Sequence, residues 1–157
     1  MSRTVYRIGT RRARTLEALP HGSTLAAGRL HLTPPEGLPV VYAGSSRALC
    51  QLEKRVHCNG VAPIDLMLLA LTVPADAPLQ SLDEVATLPG DWIARPAATR
   101  AIGVRWRRAG AALGLWVPSA VEPAEHNLLL NPDHPAYRAI DLQVLVEQFV
   151  FDPRMFD

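Results

Sequence analysis

Residues Gly28–Cys58 read GRLHLTPPEGLPVVYAGSSRALCQLEKRVHC, and the fold is decided here. The turn Pro34-Pro35-Glu36-Gly37 leads into Leu38-Pro39-Val40-Val41-Tyr42, whose β-branched pair predicts a strand over Val40–Ala43. Ser45 or Ser46 then offers an N-cap for a helix. At 3.6 residues per turn, Leu49, Leu52 and Val56 form an apolar stripe, and Gln51, Lys54 and Arg55 take the opposite, solvated face. Glu53 falls inside the stripe. An unpaired carboxylate on the core side of a helix costs on the order of a few kcal/mol. Two readings stay open: a structural salt bridge to an arginine, or the wall of a cleft that binds a cation-like species.

Outward from this stretch the chain is cut into short pieces by 14 prolines and 10 glycines. Val5–Ile8 reads as a first strand, and 11–32 as irregular or partly helical. Ile64–Val73 is an apolar run ending at Pro74 and predicts an interior strand. Ser81-Leu82-Asp83-Glu84 has capping-box spacing and opens a short helix toward Pro89. A longer helix is expected from Pro96 to about Arg108, closed by Gly110. Leu113–Val117, Asn127–Leu130 and Ile140–Phe151 supply three more strands. Strands and helices mix without a βαβ rhythm, so the expectation is α+β, one compact domain over 1–157 with a mixed or largely antiparallel sheet.

A net charge of +1 argues against a nucleic-acid coat. The basic runs Arg11-Arg12-Ala13-Arg14 and Arg105-Trp106-Arg107-Arg108 read as solvated faces, because no DNA-binding motif accompanies them. Cys50 and Cys58 lie eight apart in one predicted helix, too far for a disulfide, and read as free thiols in a reducing compartment. The N-terminus has no apolar stretch of signal-peptide length, and no run is long enough to span a bilayer. A cytoplasmic protein is the resulting expectation. His21, His31, His57, His126 and His134 match no common zinc spacing with the cysteines, so no metal is expected, and His134 reads as a turn-fixing residue. Trp92, Trp106 and Trp116 are candidates for an interface, with core packing favoured for at least two.

Several strings, taken in order, resemble the RES domain, the toxin half of bacterial RES–Xre toxin–antitoxin modules. They are Val5-Tyr6-Arg7-Ile8, Gly28-Arg29, Val40-Val41-Tyr42, Leu52-Glu53 with Val56-His57, and Trp116-Val117-Pro118-Ser119-Ala120. Asn127-Leu128-Leu129-Leu130-Asn131-Pro132-Asp133-His134-Pro135 and Phe151-Asp152-Pro153-Arg154 complete the match over almost the whole chain. One departure is clear: Leu30-His31 stands where the family usually has Trp-Asn, in a loop a few residues longer than is common.

The resemblance implies a fold like that of ADP-ribosyltransferases and diphtheria-toxin-type enzymes, with NAD as substrate. It implies a toxin that depletes NAD by cleaving the nicotinamide–ribose bond, with water or phosphate as acceptor. It also implies neutralisation by an Xre-type antitoxin encoded nearby, with contact with DNA only through that antitoxin; the oligomeric state stays open, a homodimer within the complex among the possibilities. Such cleavage needs a pyrophosphate clamp and negative charge beside a cationic sugar. On that pattern Arg29 and Arg7 are the clamp, Glu53 faces the ribose, and Tyr42 stacks on nicotinamide with its hydroxyl on the ribose. Ser119 orients Glu53 or touches substrate. His31, in place of the usual asparagine, is a candidate for the pocket lining. The alternatives are ADP-ribosyl transfer to a cellular protein, against which Gln51 argues mildly because many arginine-specific transferases carry an acid there, and a binding module without turnover.

Overall fold

Leu66–Val73 carries no charged residue, and in the computed structural model, which describes residues 1–157, it is the buried strand β3, paired on both sides. The other strands are β1 (Arg3–Thr10), β2 (Val41–Gly44), β4 (Leu79–Ser81), β5 (Gly114–Pro118), β6 (His126–Leu130) and β7 (Asp141–Phe149). They form one seven-stranded sheet in the order β4-β5-β6-β2-β1-β3-β7. Only β4 and β5 run parallel; every other pair is antiparallel. The helices are α1 (His21–Leu25), α2 (Arg47–Val56), α3 (Leu82–Val85) and α4 (Pro96–Ala109). The expected α+β fold with a mixed sheet is what the chain adopts. β4 was not anticipated, because three residues bound to one neighbour leave no local pattern. The helix expected to run toward Pro89 stops at Val85.

Strand alternation sorts the core onto two faces. On one, Val5, Val41, Leu69, Leu71 and Leu128 pack under Leu19, Tyr137 and Ile140. On the other, Leu115, Val117 and Leu129 meet Ile102 and Trp106 of α4, while Ile8 and Leu68 meet Cys50 of α2. Registry then lines up Tyr6, Gly44, Asn127 and Val117 as one row across β1, β2, β6 and β5 on this second face. Gly44 is in that row for a reason: an added Cβ would lie 3.1 Å from the Cys50 backbone nitrogen, so a larger residue would push the first turn of α2 outward by a few tenths of an ångström. Ser46 caps α2 by accepting from the Leu49 N–H at 3.0 Å, and its hydroxyl donates to Glu125 at 2.9 Å, fastening the helix start to the β5–β6 connection.

The buried stripe of α2 is rotated from the expected one. Leu49 and Cys50 are buried, whereas Leu52 and Val56 are exposed. Arg55, expected in solvent, stacks on Phe156 at 4.2 Å and donates to the Met155 carbonyl. Arg107, also expected in solvent, is buried and binds Asp133 and the Pro39 carbonyl. Trp106 is core, with its indole N–H donating to Gln80, so an interface around all three tryptophans does not form. Arg14 pairs with Glu147. His134 fixes a turn as expected, its Nδ1 accepting from the Ala136 N–H. No helix is long and apolar enough to cross a membrane.

α4 crosses the segment Gly28–Leu30 at close range. Thr99 Oγ1 donates to the Arg29 carbonyl at 2.8 Å and Arg100 Nε to the Gly28 carbonyl at 2.9 Å. At the crossing, a Cβ on Gly103 would fall 1.9 Å from the Leu30 carbonyl oxygen. Gly103→Ala is therefore expected to cost about 2 kcal/mol in urea unfolding despite its better helix propensity. Wild-type stability in that variant would contradict the close crossing.

Candidate active site

The row Tyr6–Gly44–Asn127–Val117 floors a cavity of about 430 Å³, within the ~300–1,000 Å³ of small-molecule pockets. Tyr42 and Ile8 extend the floor, α2 contributes Glu53 and Lys54 and its C-cap His57 to one wall, and Arg29 with Leu30 forms the facing rim. The lining thus joins an apolar bed to a few polar groups.

Glu53 is bound neither to an arginine nor left free. Its Oε1 accepts from Ser119 Oγ at 2.7 Å and from Asn127 Nδ2 at 2.6 Å. Ser119 is fully buried and its hydroxyl oxygen also accepts the backbone N–H groups of Val121 and Glu122, at 3.0 and 3.1 Å. With both lone pairs taken, its one hydrogen must go to Glu53. Two donors on one oxygen suit an ionised carboxylate. Oε2 accepts no hydrogen bond, and His57 Nε2 lies 3.9 Å from it. One oxygen is anchored and the other is available to a ligand.

Arg29 is half-buried at the rim, with Nη1 donating to the Ile93 carbonyl at 2.9 Å. By alternation Arg7 belongs with Leu69 to the opposite face of the sheet, yet it borders the cavity. Its Nη1 donates to the Tyr42 carbonyl at 2.8 Å, and its buried Nε has no partner. Burial lowers the Arg7 pKa from its ordinary value. Tyr42 lines the cavity, but its hydroxyl is engaged by His31 Nδ1 at 2.7 Å and by the Leu30 N–H at 3.3 Å, not left free for a ribose. Burial pushes that hydroxyl well above the usual tyrosine range. His31 itself is buried behind Tyr42 and is not in the lining, contrary to expectation. Cys50 borders the cavity as a thiol that burial pushes up to about 12, donating to the Arg47 carbonyl.

The structure thus brings Glu53, Tyr42, Arg29 and Arg7 to one cavity, with Ser119 directly behind Glu53. Asn127 was missed as a site residue. It stands in the Asn-Leu-Leu-Leu string, but only the register Gly44↔Asn127 shows that it faces α2. No cluster of three or more His, Cys, Asp or Glu side chains is placed to hold a metal ion.

Fold and site define a class: an α+β domain built around one cleft with an inward, half-anchored carboxylate. The chain matches the RES domain model over residues 4–152 and belongs to that family. It is 40% identical over 164 aligned positions to the Prs ADP-ribosylating toxin of Sphingobium sp. (strain YBL2), covering 99% of this chain and 98% of that one. It is 32% identical to Toxin Res of Yersinia enterocolitica serotype O:8, over 96% of this chain and 98% of the relative. Among solved structures it resembles a chain from the crystal structure of the M. tuberculosis MbcT-MbcA toxin-antitoxin complex, with a TM-score of 0.68 at 19% identity, over 99% of this chain and 87% of that one. At that identity the likeness concerns the fold.

The anchoring of Glu53 has a direct test. Asn127→Asp sets a second carboxylate where a donor stood 2.6 Å from Oε1. The variant is expected to lose about 1–3 kcal/mol at neutral pH. Taking up one proton removes the repulsion, so the deficit shrinks as pH falls from neutral into the acid range. Urea unfolding across that range checks it, and a deficit independent of pH would contradict the pairing.

Proposed function

We propose that the chain is the toxin of a toxin–antitoxin pair and acts by cleaving NAD at its nicotinamide–ribose bond. The observation that carries this reading is Glu53, with Oε1 fixed by Ser119 and Asn127 and Oε2 left toward a nucleotide-sized cavity. As the C1′–N bond breaks, its electron pair goes to the pyridinium nitrogen and nicotinamide leaves neutral. C1′ then carries oxocarbenium character, which a fixed carboxylate stabilises without moving. Because the leaving group needs no proton, no general acid is required. Arg29 at the rim is the pyrophosphate clamp, with Arg7, held under the floor by the Tyr42 carbonyl, as the second cation beside the cavity. Tyr42 offers its ring to the nicotinamide. An oxygen of water or phosphate then bonds to C1′, an attacking water passing its surplus proton to solvent.

A second reading, transfer of the ADP-ribosyl group to a cellular protein, has the name of the 40% identical Sphingobium relative in its favour. It uses the same bond cleavage and the same residues, with only the acceptor changed. The partner in either reading is an Xre-type antitoxin, through which alone the chain meets DNA, and the pair acts in the cytoplasm. The solved toxin–antitoxin complex of like fold supports an antitoxin partner.

The test is nicotinamide release from NAD by the purified chain, with and without phosphate, beside Glu53→Gln. The wild type is expected to release nicotinamide, and Glu53→Gln to slow it about 100-fold or more. Arg29→Ala is expected to raise KM for NAD about tenfold with a smaller effect on kcat, as loss of a ground-state contact does. Absence of release, with labelled NAD marking a lysate protein, would favour the transferase. Absence of both would overturn the proposal.

A further inference from the structure

His31 is 5% exposed, lies outside the cavity lining, and makes three hydrogen bonds. Its Nε2 is 3.0 Å from the Ser23 carbonyl and 3.0 Å from the Ala26 carbonyl. Carbonyl oxygens only accept, so Nε2 carries the hydrogen and Nδ1 is the acceptor. The Tyr42 hydroxyl, 2.7 Å from Nδ1, therefore spends its single hydrogen on His31. Its oxygen in turn accepts the Leu30 N–H. The chain of bonds runs from the backbone beside Arg29, through Tyr42 on the cavity floor, to the Ser23–Ala26 turn. The packing agrees: a Cβ on Gly28 would come within 2.7 Å of the His31 ring and 2.8 Å of the Tyr42 hydroxyl, so glycine is required where this pair closes against the segment. The Gly28 N–H also bonds the His31 carbonyl at 3.1 Å, completing a tight loop from 28 to 31.

We propose that His31 is a positioning residue: by taking the Tyr42 hydroxyl hydrogen it commits that group to the interior, locks the ring, and ties the Arg29 rim to the cavity floor. Tyr42 then meets substrate through its ring, and the hydroxyl serves geometry. The choice of NAD as ligand rests on the function proposed above. Protonated, His31 would turn a hydrogen toward Tyr42, and the tyrosine would lose its acceptor. The charged group facing His31 is Arg100 of α4; Arg100, Arg7 and Glu53 face Tyr42. Burial, with Arg100 adding to it, holds the His31 pKa below the ordinary imidazole value. The link is therefore intact at neutral pH and is lost as pH falls through that lowered value.

The test combines KM, kcat and directly measured NAD affinity across pH for the wild type, His31→Leu, His31→Asn, Tyr42→Phe and the double variant His31→Leu/Tyr42→Phe. His31→Leu and Tyr42→Phe each break the same bond and are expected to raise KM about tenfold with kcat changed less than about threefold; the double variant should be no worse than either single one. Asparagine places an oxygen near the Nδ1 position, so His31→Asn should recover most of the affinity. In the wild type KM should rise as pH falls through the lowered imidazole value of His31, and in His31→Asn that rise should vanish. Additive losses, a tenfold or larger fall in kcat for Tyr42→Phe, or an acid limb persisting in His31→Asn would overturn the proposal. Should His31→Leu not fold, Tyr42→Phe and the His31→Asn pH profile carry the decision. If the wild type binds NAD without releasing nicotinamide, the reaction proposed above fails, and the same comparison is read in Kd. If it binds no NAD, both fall.

Discussion

A carboxylate on the inward side of a helix must be satisfied where it lies, and the arrangement of this molecule around its cavity follows from how Glu53 is satisfied. Its donors come from two antiparallel neighbours: Asn127 on β6 and Ser119 just past the end of β5. Ser119 can serve only as a donor to Glu53 because the turn after β5 fills its lone pairs with backbone N–H groups. The helix is brought within reach by Gly44, which removes a side chain from the contact with Cys50, and by Ser46, which fastens the helix start to Glu125. Sheet register, helix cap and turn hydrogen bonds thus converge on one oxygen. The other oxygen is left to whatever the cavity holds, at no reorganisation cost when charge develops.

The facing side of the cavity is held by a different device. The segment from Gly28 to His31 has no regular structure, so its position depends on bonds to its neighbours. Thr99 and Arg100 take two of its carbonyls, Gly103 lets α4 come close, and His31 with Tyr42 closes it against the floor. Buried polar chains of this kind are rigid when fully satisfied and costly when one member is lost. That places Arg29 with a precision that a loop alone would not give.

Six of the seven strands were legible because each is long enough to show an apolar or alternating run, as Leu66–Val73 does most clearly. β4 was not, since its three residues are a strand only by virtue of β5. The α2 stripe was misread through Leu52 and Val56: hydropathy marks residues that prefer burial, but Val56 borders the cavity and Cys50 took the buried place. The inward aim of Glu53 was legible from its helical position, whereas its donors were not, because Asn127 comes opposite it only through long-range register. His31 was visible as a departure from the family pattern, yet its burial behind Tyr42 depends on the C-terminal end of α1 at Ser23–Ala26, a helix too short to carry a clear signal. Residues whose role is local could be read, and those whose role is to meet a distant partner could not.

The central claim is that the open oxygen of Glu53 faces the reacting carbon of NAD. A crystal structure of Glu53→Gln with NAD tests it most directly. The account predicts the nicotinamide ribose against residue 53, the nicotinamide on the Tyr42 ring and the pyrophosphate at Arg29. NAD bound with its adenine end at residue 53, or bound outside this cavity, would contradict it.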